Sequence, residues 1–182
     1  MEWLILSLLL ALVLFWAVGA HNRLSRLRAE VLRQWGIVDT VWLKWLLRFQ
    51  GSVSARQILA WSSEADDLQA LQDACEGVVE VLAEARVQIL DAACVDKLMQ
   101  RHSALMLCID RVAERVPDNV RQHLLAARAR ILQNIPPALV PYHQAVDFYN
   151  QALMQAPASW LARRLRMRRA HPLPLGLREV GP

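Results

Sequence analysis

The segment from Trp3 to Ala20, WLILSLLLALVLFWAVGA, constrains this chain more than any other part of it: 18 residues with no charge and a single serine. At about 1.5 Å per residue it makes roughly 27 Å of helix, close to the roughly 30 Å hydrocarbon thickness of a bilayer. Trp3 and Trp16 fall toward its two ends, where indole rings favour the headgroup boundary. Residues 1–21 therefore read as an uncleaved transmembrane anchor with a short N-terminus. The competing reading is a secretory leader, because Val18-Gly19-Ala20 offers small residues near a cut site. Two features oppose it. The start of the chain carries Glu2 and no Lys or Arg, and the apolar run exceeds the usual length of about 7–15 residues. Arg23, Arg26, Arg28 and Arg33 follow the span, against Glu30 alone. The positive-inside rule then keeps the C-terminal side in the cytoplasm and the N-terminus outside.

The rest of the chain reads as helix. Of 182 residues, 55% are hydrophobic, with only 6 Gly and 8 Pro, and no stretch alternates apolar and polar residues as a half-buried strand does. Removing the anchor leaves roughly 160 residues, enough for one domain with a core. Leu24, Leu27, Val31, Trp35, Val38, Trp42, Trp45 and Phe49 recur every 3 or 4 positions, a narrow seam of coiled-coil type. This predicts a first helix over 22–49, loosened by Gly51-Ser52 and Ser54. Ser62-Ser63 ahead of Glu64, Asp66 and Asp67 favour a helix start through capping and the helix dipole. Leu68, Leu71, Cys75, Val78, Leu82, Ala85 and Ile89 form a second seam. Val95, Leu98, His102, Leu105, Ile109, Val112 and Val116 form a third, closed by Pro117-Asp118-Asn119, a turn signal. A fourth helix is predicted from Val120 toward Met154, through Leu124, Ala127, Ile131, Tyr142, Val146, Tyr149 and Leu153. Pro136, Pro137 and Pro141 lie within it, and an interior proline costs about 3 kcal/mol, so a kink or a break is expected there.

The fold class is all-α: an N-terminal transmembrane helix followed by an antiparallel bundle of about four long helices over 22–156, then a basic tail over 157–182. Helix one leaves the membrane, two returns, three leaves and four returns. The chain should therefore finish near the bilayer surface.

Two motifs carry a family resemblance. The span is followed by Asn22, Arg23 and Leu24, then by Val31, Trp35 and Asp39 at steps of four. Late in the chain come Tyr142, Ala145, Val146, Tyr149 and Asn150, then Pro157 and Leu161-Ala162. In these features the chain resembles the LemA family. The resemblance implies a membrane-attached helical bundle and no reaction. The chain departs from the family pattern at Trp42 to Gly51, which lacks a basic stretch and an apolar-proline-asparagine motif, and at His143, where asparagine is usual. The prolines before Tyr142 and the arginine-rich tail are further departures.

No catalytic constellation emerges, so the chain is expected not to be an enzyme and to need no cofactor. His21, His102, His123, His143 and His171 include no pair at metal-ligand spacing, and no phosphate-cradling glycine loop or nucleophile elbow is present. His102 falls on an apolar seam, which suits a core or interface histidine with one hydrogen bond or, alternatively, a proton-handling or metal role. Cys75, Cys94 and Cys108 read as buried apolar residues in a reducing compartment. Glu76, Glu80 and Glu84 line one helical face. That face is either solvated or a docking strip for a basic partner or for helix one. Trp42, Trp45 and Trp61 suit either core packing or exposed docking anchors.

The tail is the sharpest signal. Trp160 precedes Arg163, Arg164, Arg166, Arg168 and Arg169. A short helix with an aromatic anchor beside clustered guanidinium groups reads as membrane-interfacial contact with anionic lipid; the alternative is an unstructured, solubilising tail. The aromatic content is too thin for a nucleic-acid stacking platform. Together these features point to a membrane-tethered scaffold or interaction module with an unknown protein partner. The alternative is an enzyme or metal protein with a site between helices.

Overall fold

The computed structural model describes residues 2–60, 65–156 and 158–174. Among them the chain forms five helices and no strand: α1 (Glu2–Ala60), α2 (Ala65–Gln88), α3 (Ala92–Arg115), α4 (Asp118–Met154) and α5 (Ala158–Arg164). The serine start expected at Ser62-Ser63, the tryptophan at position 61 and Pro157 lie outside the described residues.

The apolar run stands free of the bundle. Its most apolar 18-residue stretch has a mean hydropathy of 2.5, and none of it is buried against the rest of the chain. A core helix of a water-soluble domain would be covered; this one exposes a face far larger than soluble surfaces carry. It is long and apolar enough to span a membrane. No joint separates it from the bundle. The helix predicted to begin at Asn22 and end at Phe49 is instead part of one continuous helix of 59 residues, about 88 Å long. The serines and glycine at 51–54 do not stop it. Phe49 and Val53 are both buried, so the seam continues by four, and Ser52 Oγ donates to the Phe49 carbonyl at 2.7 Å.

The seams meet as their spacing requires. Each bundle helix touches its two neighbours around a closed ring, α1 to α2 to α3 to α4 and back to α1, which is an antiparallel up-down bundle. Trp35, Val38, Trp42, Leu82, Ile89, Leu98, Ile109, Ile131 and Val146 are all buried. Trp42 and Trp45 sit in the core, which removes them as exposed docking anchors. Asp91 starts α3 by accepting a bond from the Ala93 amide.

Pro136, Pro137 and Pro141 do not break α4, which runs unbroken for 37 residues. Its buried face passes through the prolines without a gap, at Ile131, Ile135, Leu139, Tyr142 and Val146. Ending the helix there would uncover that face, and burying each large apolar side chain is worth about 1.5–3 kcal/mol. Several such side chains outweigh the lost backbone bonds.

The acidic row of α2 turns toward α3 rather than α1. Lys97 donates to Glu84, Arg101 lies against Gly77, and Arg115 meets Asp67 at 3.2 Å. Glu76 and Glu80 remain exposed.

Helix lengths then define an overhang. Four residues separate α1 from α2 and two separate α3 from α4, so those ends are level. At the opposite end α4 is 13 residues longer than α3 (37 against 24), a difference of about 20 Å. Arg86, near the end of α2, donates to Asp39 in the middle of α1 at 2.9 Å. Below that level, of the four bundle helices, α1 and α4 alone continue toward the apolar stretch.

Candidate functional site

The overhang is where the sequence motifs converge. Where α1 emerges from its apolar stretch, a cavity of about 300 Å³ is lined by Trp16, Gly19, Arg23 and Leu24 of α1, with Ala152 and Gln155 from the end of α4 and Ala158 from α5. Small residues on both sides let these segments approach closely. The C-terminal segment therefore lies beside the base of the apolar stretch. Trp16 is half-buried there, while Trp3, at the other end of the apolar run, is exposed. Trp160 is 67% exposed, and Arg23, Arg26, Arg163 and Arg164 are exposed as well.

The arginines expected on one interfacial helix divide into two groups. α5 ends at Arg164. Arg166 then takes a φ of 51°, a left-handed conformation rare for a non-glycine residue, and the chain reverses. Residues 167–174 run without regular secondary structure back along α4. Arg168 and Arg169 lie on this strap, Arg168 4.0 Å from Asp91 in the α2–α3 connection. The basic segment is therefore a short helix and a strap, because the strap has better partners on α4 than it would find as a continued helix.

Those partners are residues of the late motif. Asn150 uses both atoms of its side-chain amide on one residue: Nδ2 donates to the Ala170 carbonyl at 2.8 Å, and Oδ1 accepts from the Ala170 amide at 3.0 Å. Tyr149 donates its hydroxyl to the Arg168 carbonyl, and Tyr142 to the His171 carbonyl, each at 3.0 Å. An extended segment has no internal hydrogen bonds, so buried backbone groups must find outside partners, and three side chains on one face of α4 supply them. Ala170 and Leu173 are thereby buried, and the strap covers the overhang that α2 and α3 do not reach. Burial pushes the Tyr142 and Tyr149 hydroxyls up in pKa, so both remain donors at neutral pH.

The early motif lies opposite. Trp35 meets the Tyr142 ring edge-on at 6.0 Å, and Leu24, Val31, Ala145 and Val146 are also buried. Asp39 is 7% exposed. Asn22 points to solvent. The two motifs, a hundred residues apart in sequence, thus form one packed unit at the base of the bundle. That the motif tyrosines and asparagine hold a strap is absent from the sequence reading. Its signal was the choice of Tyr, Tyr and Asn where Leu would fill a seam.

His102 differs from expectation. It is fully buried, edge-on to Trp42 at 5.0 Å, and neither ring nitrogen has a hydrogen-bond partner among the described residues. Burial pushes its pKa down to about 4, so the imidazole is neutral. Among the described residues no group of three or more His, Cys, Asp or Glu is placed to hold a metal ion. Cys75, Cys94 and Cys108 are free thiols, and burial pushes Cys75 up to about 12.

No family model matches the chain, and no curated protein or solved structure matches it either.

Proposed function

We propose that this chain is a single-pass membrane protein, a divergent relative of the LemA proteins, that presents a helical interaction module on the cytoplasmic side of the bilayer. The observation that carries the reading is an unburied apolar helix that continues without a joint into the bundle core. Burying such a run in lipid satisfies its surface, and the arginines after it favour the cytoplasmic side. Arg23, Arg26, Arg163 and Arg164, with Trp160, then face the headgroups. Each basic residue near an anionic leaflet is worth about 1 kcal/mol. The bundle is the part that meets a protein partner.

Protease protection in sealed inside-out and right-side-out vesicles tests the anchor and its orientation together. The full-length chain should resist carbonate extraction, and the bundle should be digested only from the cytoplasmic face. A soluble extracytoplasmic product beginning at His21 would overturn the proposal. Crosslinking from membranes, comparing the intact chain with one lacking 160–182, tests the interaction role. Partner adducts should form in the intact chain, and their absence would leave no module.

A further inference from the structure

We infer that the membrane-distal part of the α1–α4 interface is a binding site for a soluble, multiply charged phosphate compound whose recognised element is a diphosphate-type group. A cavity of about 360 Å³ opens there between the two helices. Lys44 and Arg48 stand one turn apart on α1. Arg130 faces them from α4, with Asn134 one turn further along. The floor is rigid and apolar: Trp45 and Phe49 stack at 5.1 Å with 7° between their planes, and Trp45 Nε1 is fixed by the Ala127 carbonyl at 2.8 Å.

The charge distribution gives this cavity its direction. Several cations elsewhere on the bundle stand beside carboxylates: Arg33 with Glu30, Arg86 with Asp39, Lys97 with Glu84, Arg128 with Asp110. Lys44, Arg48 and Arg130 have no such partner among the described residues, although they share one cavity. Grouped like charges repel, and an anion of two or more charges removes that repulsion. A single carboxylate would leave two cations uncompensated. Guanidinium forks match phosphate oxygens in a bidentate manner, and an amide such as that of Asn134 adds a neutral donor.

Distance decides the source of the anion. Lys44 lies 24 residues beyond Ala20 on the same helix, about 36 Å from the end of the apolar run. That is several times the screening length of about 8 Å at physiological salt, so headgroups of the chain's own bilayer do not reach it. The cavity is of the size that takes a compact ligand, at the lower end of about 300–1,000 Å³, and a partner helix of roughly 10 Å diameter needs a longer trough. The site does not depend on which side of the membrane the bundle faces, so it stands or falls separately from the proposed topology.

Calorimetric titration of the full chain in non-ionic detergent, at constant ionic strength, is the test. The probes are inorganic pyrophosphate, orthophosphate, sulfate and a short polyglutamate peptide. Pyrophosphate should bind saturably at one site, at least about ten-fold more tightly than sulfate or orthophosphate. Arg130→Gln and, on the other helix, Lys44→Gln should each weaken it about ten-fold with unchanged thermal unfolding. Arg101→Gln, exposed on α3, should leave it unaltered. Absent saturation, equal binding of all small anions, binding that survives both cavity variants, or a preference for polyglutamate would each overturn the assignment.

Discussion

Replacing Asn150 with alanine should free the strap and lower stability by about 2–4 kcal/mol. The substitution leaves the amide and the carbonyl of Ala170, which is 2% exposed, without their partners. An orphaned buried polar group costs about 1–3 kcal/mol, and the strap's alternative is to detach and let water solvate it. Detachment also takes away the strap carbonyls to which the buried Tyr142 and Tyr149 donate. For a domain of this size the loss corresponds to a fall in Tm of roughly 5–15 °C. Hydrogen exchange gives the local readout: the Ala170 amide, protected in the parent chain, should exchange at the rate of an open peptide. Tyr149→Phe removes one hydroxyl bond and should cost only about 1 kcal/mol. Retained protection at Ala170 in Asn150→Ala would show that the strap is held by something other than this amide.

The second large effect is on pH dependence. His102 is neutral in the folded chain, with its pKa lowered from 6.5 to about 4 by burial alone. The unfolded chain takes up that proton from pH 6.5 downward, whereas the folded chain does not until about pH 4. Protons therefore favour unfolding across this window. The stability tied to His102 is fully present above pH 6.5 and gone by about pH 4, a total of about 3 kcal/mol at 1.36 kcal/mol per unit. His102→Leu retains an apolar side chain at that point of the seam and cannot titrate. Chemical denaturation of both chains between pH 7 and 4 should show the parent losing that much more than the variant. Parallel profiles would mean that His102 is protonated or hydrated in the fold.

The seams were legible because a helix buries one face and must repeat its apolar residues to do so. Leu68 to Ile89 and Val95 to Val116 could be read position by position, and every one of those seam residues is buried. Interruptions were read too literally. Ser52 and Pro137 are poor helix residues locally, yet their neighbours Val53 and Leu139 lie in the core, and packing on both sides overrides the local preference. The strap was invisible for a different reason. An extended segment held by side chains of another helix has no period of its own, and nothing within 167–174 announces that Asn150 will bond Ala170. The cation-lined cavity was hidden likewise, because Lys44 and Arg130 are 86 positions apart and meet only after α1 and α4 pair.

With the anchor in lipid as proposed, the unbroken α1 ties it directly to the bundle. A flexible linker would let the anchor lean in the lipid while the bundle kept its own heading. Here the two move as a single lever. Forty residues separate Ala20 from Ala60, about 60 Å of helix. Spanning helices lean by about 20° on average, so over that length the far end swings by roughly 20 Å. Bilayer thickness, or the pairing of two anchors within it, thereby sets where the bundle's distal end points and what it can reach.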